Sequence, residues 1–170
     1  PNEYETTIGL YYVLIEQRRY QEARKLLDEL AIDDVWRRFE IETQKGWWLL
    51  FSERLEQGRV HFEHLVNQAG ANLGARQGEA MAHLWQGWPG EALLRLDAIR
   101  ARNEYYVPAQ IGRVSALLNL ERNREARDEA EKLAALYSDN KHAQNALRAT
   151  DIRYMREVAA NLSVSDYDRG

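Results

Sequence analysis

Four short segments of this chain recur at almost equal intervals, and nothing else in it limits the fold so tightly. Tyr20-Gln21-Glu22-Ala23, Leu55-Glu56-Gln57-Gly58, Pro89-Gly90-Glu91-Ala92 and Asn123-Arg124-Glu125-Ala126 each follow one apolar helical stretch and precede another. Their small fourth residues lie at 23, 58, 92 and 126, in steps of 35, 34 and 34. A period near 34 marks a helix–turn–helix unit that cannot bury its apolar face alone and stacks on copies of itself. Stacked hairpins build extended concave surfaces, and such surfaces bind partners.

Composition agrees with a helical array. Ala, Leu, Glu and Arg dominate the 170 residues, and there are only three prolines. The net charge of -4 comes without any Lys/Arg block, so the footprint of a nucleic-acid binder is missing. No apolar run approaches the ~20 residues that a membrane-spanning helix needs, and no signal peptide opens the chain. It begins at Pro1-Asn2-Glu3, next to a helix, and reads as a piece of something longer. The absence of cysteine removes disulfide and thiolate chemistry.

Apolar periodicity places the helices. The first hairpin pairs Glu3 to Gln17 with Gln21 to Leu30, turning at Arg18-Arg19-Tyr20. Asp33 or Asp34 is then expected to cap the next helix. The second hairpin pairs Val35 to Ser52 with Leu55 to Gln68 and carries Trp36, Phe39, Trp47, Trp48, Phe51 and Phe62. Gly46 lies inside its first helix, where glycine costs about 1 kcal/mol relative to Ala and implies a close approach between helices. Gly70 with Asn72 is read as the end of that hairpin. The third runs from Leu73 to Gln86, turns at Gly87-Trp88-Pro89-Gly90 and continues to Arg100. The fourth starts at Pro108, turns at Glu121-Arg122-Asn123 and runs through Leu136. Pro89 and Pro108 suit a first helical turn, where the missing N–H has no partner to lose. A single helix follows from Lys141 to about Ala160, placed to cover the end of the stack. Residues 161–167 alternate with period two, which reads as a strand.

The register resembles the tetratricopeptide repeat (TPR) family over about residues 2 to 160. With the small residue after each turn at repeat position 20, repeats begin near Tyr4, Phe39, Leu73 and Val107. Ala23, Gly58, Ala92 and Ala126 match the family's small residue, Gly46 its first glycine and Tyr20 its turn aromatic. Leu27, Phe62 and Leu96 match its large apolar position. Only Gly87 fills the turn glycine, and no repeat ends in the usual proline. The resemblance implies an all-α, right-handed superhelix of four hairpins over residues 1–160, with 141–160 as the terminal helix. Leu84-Trp85-Gln86-Gly87-Trp88-Pro89 and Arg102-Asn103 also look like the last TPR units of PgaA-type poly-N-acetylglucosamine exporters, whose relatives export cellulose or Pel. The run 156–165 is similar to their junction between the last helix and a β-barrel. That narrower resemblance implies a non-enzymatic periplasmic scaffold of an outer-membrane porin, serving biofilm formation. Its partners would be partly deacetylated poly-N-acetylglucosamine and a periplasmic deacetylase or another secretion component. Residues 161–170 would then start a truncated barrel or a linker.

In the TPR register Tyr12, Trp47 and Met81 share a position that the family points into the concave groove, and Trp85 occupies another. Glu5, Glu16 and Glu40 line the groove's first part. Exposed aromatic rings can stack on the C–H faces of sugars, and carboxylates in a concave wall attract the ammonium groups of a deacetylated polymer. Neighbours such as Trp47 and Trp48 point about 100° apart, so one is expected in the core and the other towards the groove. Packing between helices and a solvated acidic face remain the simpler accounts of these residues. The alternative function is a generic TPR adaptor for a peptide or assembly partner. A clamp for a peptide carboxylate would need Lys, Arg and Asn in the groove, whereas these positions are acidic, aromatic or apolar.

Other constellations carry less. His61 and His64 share a helix face, but zinc needs a third protein ligand and none has a defined spacing. His83 and His142 stand alone. The sequence has no Gly-rich phosphate loop, nucleophile elbow or recognisable acid pair, so neither an enzyme nor a cofactor is expected.

Overall fold

A computed structural model of the chain describes residues 3–30 and 35–167, with side chains as far as residue 157. The described residues are all-α. They fall into two compact units that meet in sequence at Gly87 and Trp88.

The first unit holds α1 (Glu3–Glu16), α2 (Tyr20–Glu29), α3 (Val35–Phe51), α4 (Leu55–Gln68) and α5 (Leu73–Trp85). Each helix packs on the next in the chain, and α3 also packs on α5. Two cores result. Tyr11, Leu14, Ala23, Leu27, Ile41 and Trp48 join α1, α2 and α3. Leu50, Phe62, Leu65, Ala75 and Ala82 join α3, α4 and α5. Tyr11 donates its hydroxyl to the Gln44 carbonyl at 3.0 Å, and Trp48 donates Nε1 to the Tyr20 carbonyl at 2.7 Å. Both polar tips are therefore satisfied where the rings are buried.

Small residues set the helix spacing. Ala23 and Gly58 are buried at their hairpin crossings, Gly58 against Leu50. Gly46 faces the Phe62 ring, where an added Cβ would lie 2.7 Å from the ring edge; at Gly78 it would lie closer still. One fully buried phenyl ring is thus sandwiched between two glycine backbones.

The second unit holds α6 (Pro89–Arg102), α7 (Val107–Asn119), α8 (Asn123–Leu136) and α9 (Lys141–Tyr167). Neighbours in sequence again pack together, and α7 also packs on α9. Ala92, Leu96, Ile99, Val114, Leu117, Ala126, Leu133 and Ala143 are buried here. Arg113 on α7 donates Nε to Asp97 of α6 at 2.6 Å and Nη1 to Glu129 of α8, tying three helices with one planar fork.

Two details differ from the sequence reading. First, residues 161–167 continue α9 as helix and form no strand. Adding a residue to an existing helix costs far less than nucleating one, and Ala159, Ala160 and Leu162 favour that extension. A seven-residue alternation without a pairing strand has nothing to hold it extended. Second, Asn72 does not end α4, which stops at Gln68 with Ala69 as its C-cap; the Asn72 side chain caps α5 by accepting from the Ala75 N–H. Trp36 on α3 is 76 % exposed, and Ile152 and Met155 on α9 are exposed as well. The proposed caps at Asp33 and Asp34 lie outside the described residues.

Candidate partner-binding face

All seven residues singled out for the groove fall in the first unit, on α1, α3 and α5. These are the first helices of successive hairpins. Two hydrogen bonds register α1 against α3. Tyr4 donates its hydroxyl to Glu40 at 2.8 Å, and two turns on Tyr12 donates to Gln44 Oε1 at 3.0 Å. Arg37 lies 5.5 Å over the Tyr4 ring. Glu40 is thus exposed yet held in place. Tyr12 keeps 45 % of its surface and sits edge-on to buried Tyr11, 5.2 Å between ring centroids.

One turn beyond Gln44, Trp47 begins an aromatic cluster that joins α3 to α5. Its ring is 5.9 Å from Phe51, 5.5 Å from Phe62 and 6.3 Å from Trp85 between centroids. Phe51 and Trp85 are 5.6 Å apart. Trp47 is half-buried, while Trp85 at the end of α5 is 39 % exposed and offers the accessible face of the cluster. Met81 lies one turn before Trp85 and is half-buried. The expected division of the tryptophan pair is visible: Trp48 is 5 % exposed, with Arg24 and Arg54 over its ring at 5.2 and 4.9 Å.

The structure therefore brings Glu40, Trp47 and Trp85 onto one connected stretch, with Met81 beside Trp85 and Tyr12 alongside α3. Glu5 and Glu16 stand exposed near opposite ends of α1. Sequence reasoning missed Gln44, which Tyr12 selects by hydrogen bond. The helical step from Glu40 to Gln44 could have flagged it.

The histidines have other partners. His61 Nε2 meets the Glu42 carbonyl oxygen at 2.7 Å, and His64 pairs with Gln68 at 2.9 Å. His83 is buried with Nδ1 against the Glu79 carbonyl oxygen. Among the described residues, no three His, Asp or Glu side chains are grouped to hold a metal ion, and no helix is long and apolar enough to cross a membrane.

No protein-family model and no curated protein matches the sequence. Solved structures do. The first TPR domain of human RPAP3 is similar with a TM-score of 0.62 at 18 % identity, over 71 % of this chain and 95 % of that one. This is a tetratricopeptide-repeat fold. The second TPR domain of human RPAP3, solved with the HSP70 peptide SGPTIEEVD, gives 0.56 at 23 % identity, over 65 % of this chain and 92 % of that one. MamA from AMB-1 gives 0.54 at 16 % identity over 94 % of each chain. In TPR terms, α1, α3 and α5 are the first helices of their repeats, and Gly46 and Gly58 are the small residues at which the two helices of the second repeat close, on Phe62 and Leu50.

Proposed function

We propose that this TPR chain is a non-enzymatic adaptor that holds an extended segment of a protein partner on the α1/α3/α5 face. The observation that carries this reading is the connected stretch of Glu40, Tyr12, Trp47 and Trp85, which offers ring faces beside a fixed carboxylate. Helical repeats present such faces to peptides, and peptide complexes of similar TPR folds support the reading. The chemistry here differs from what an acidic peptide needs. Of the seven face residues three are acidic and none is basic. A segment that alternates basic and aromatic or aliphatic residues is complementary; one ending in Glu-Glu-Val-Asp is not.

The same carboxylates and rings favour a second occupant, a partly deacetylated glucosamine polymer. Its ammonium groups would meet Glu5, Glu16 and Glu40, and its C–H faces would meet Trp85 and Tyr12. Each exposed ion pair contributes only about 0–1 kcal/mol, so binding would rest on repetition along the chain. In that reading the chain is a periplasmic part of an exopolysaccharide exporter. The helical conformation of 161–167 removes the strand onset from its support.

An NMR titration followed at the tryptophan indole N–H groups tests both readings. A basic-aromatic peptide or a partly deacetylated glucosamine oligomer is expected to shift Trp47 and Trp85 but not Trp48, less so at higher salt and with Glu40→Gln. Equal response to the peptide SRMEEVD, or shifts confined to residues off this face, would overturn the assignment of the face.

A further inference from the structure

In the second unit a hollow of about 740 Å³ opens where α6 ends, bounded by the last turns of α6, the turn that follows it and α7. That volume is in the range of ligand sites. Three arginines line it, Arg100, Arg102 and Arg113, against two carboxylates, Asp97 and Glu104. None of these residues belongs to the α1/α3/α5 face, which lies in the first unit.

The acids around the hollow do not use up these arginines. The Arg113 side chain is only 11 % exposed. It gives Nε to Asp97 and Nη1 to Glu129, while Nη2 makes no hydrogen bond among the described residues. In a side chain that shielded, an N–H without an acceptor carries a cost. Arg100 is 51 % exposed, with Nη1 3.5 Å from the same Glu129 oxygen, and its guanidinium makes no hydrogen bond among the described residues. Two guanidinium groups from adjacent helices thus meet over one oxygen and still have donors to offer. The group that fits such donors is an oxyanion.

Apolar surface adjoins them. Tyr105, also in the lining, is 71 % exposed. Leu94, Ala98 and Ala101 are exposed at helical spacing along the part of α6 that leads to it. A lone oxyanion would fill a small part of the hollow and leave these surfaces uncovered. We propose that the hollow takes a short acidic segment of a partner protein. A Glu or Asp carboxylate of that segment bridges Arg100 and Arg113, and a neighbouring aromatic residue lies on the Tyr105 ring. Such a segment is opposite in charge to the one that fits the α1/α3/α5 face, so the two sites select different sequences.

NMR of the isotope-labelled chain, followed at backbone amides and arginine Nε–H groups, tests this with the acetylated and amidated peptide EFDFE as probe. The peptide is expected to shift the Arg113 Nε–H and the Tyr105 amide, to leave the Trp47 and Trp85 indoles in place, and to bind less as salt is added. Arg100→Gln removes a cation that makes no hydrogen bond in the fold. It is expected to keep the parent's circular dichroism and to weaken binding about tenfold. Tyr105→Ala, also an exposed change, is expected to weaken it about threefold. Arg124→Gln removes an exposed cation of α8 that does not line the hollow, and is expected to leave binding unchanged. No shift at Arg113 and Tyr105 up to about 10 mM peptide, or equal weakening by Arg100→Gln and Arg124→Gln, would overturn the proposal. So would an equal response to the peptide KFKFK, or the same shifts from inorganic phosphate at the same concentration.

Discussion

Phe62 shows what a single residue contributes. Its ring is fully buried and touches Trp47 on one edge, while Gly46 and Gly78 leave it room on two helices. A methyl group at Gly78 must displace that ring, and the ring has no free volume to enter. Gly78→Ala is expected to destabilise by about 1–3 kcal/mol despite alanine's better helix propensity. Phe62→Leu alone also destabilises, but the pair should cost less than the sum, since the smaller side chain makes the space that the methyl requires. Denaturant unfolding of the four proteins checks this; strict additivity would mean that the ring and the glycine do not meet. Tyr4 offers a second test. Its phenol is pushed up to about 12, by burial first and then by the hydrogen bond to Glu40 and that carboxylate's charge, with Arg37 opposing. The folded state thus favours the protonated phenol, and this contribution is present below pH 10 and lost as pH rises through 12. Glu40→Gln is expected to lower the Tyr4 pKa while burial keeps it above the ordinary value. An unchanged NMR titration of the Tyr4 ring would show that Glu40 does not hold it.

At the scale of the hairpin, the turns repeat as faithfully as the helices. Arg18, Glu53, Gly87 and Glu121 all have positive φ, between 58° and 85°, at the same place before each small residue. In three of them the chain reverses with paired backbone bonds, Arg19 N–H to the Leu14 carbonyl and Arg18 N–H to that of Ile15, and likewise after α3 and α7. This is the helix ending in which glycine is normally favoured. Only Gly87 uses it, so Glu121 holds a left-handed conformation at a conformational cost of about 1 kcal/mol. Glu121→Gly is expected to raise the thermal midpoint slightly, since the native φ is already one that glycine accepts; a fall in the midpoint would count against strain at that turn. The period, the helix positions and the buried Ala23, Gly58, Ala92 and Ala126 were legible in the sequence because packing at a fixed crossing demands small residues there. The turn conformation was not, because Arg18, Glu53 and Glu121 are ordinary helix residues whose φ is imposed by the helices on either side. Helical spacing alone made the split between Trp47 and Trp48 legible only as a division, and the repeat register assigned Trp47 to the groove; the contacts that hold the two rings, the Tyr20 carbonyl for Trp48 and Phe62 for Trp47, are distant in sequence. Residues 161–167 misled because alternation over one short segment does not report whether a partner strand exists.

For the molecule as a whole, the candidate face was legible as a set of positions and only partly as a site. Register placed Trp47 and Trp85 together, but their contact, and the hydrogen bonds that fix Glu40 and Gln44 beside α1, depend on how adjacent repeats close. Charge distribution supplies the last test. Carboxylates at the starts of α2, α4 and α8 are held below their usual range by the arginines that flank them: Glu22 by Arg19, Glu56 by Arg59, with Gln86 adding a hydrogen bond, and Glu125 by Arg122. Glu56 falls to about 2. A carboxylate with a depressed folded pKa contributes stability above its unfolded value, and that contribution is lost as pH falls through the folded one. The thermal midpoint is therefore expected to be flat from neutral pH down to about 5 and to decline between roughly 4.5 and 2. All three carboxylates are solvent-exposed, so the pairs are individually weak and screened; the decline should be shallow and should flatten in added salt. Glu56→Gln should reduce the acid sensitivity more than Glu22→Gln or Glu125→Gln, because its carboxylate also accepts at 2.9 Å from Gln86, the residue that caps the end of α5, and so links α4 to that helix end rather than closing only one turn of its own. Calorimetric scans of the three variants across that pH range decide the order, and an equal effect from all three would show that the link from α4 to α5 adds nothing beyond the local pair.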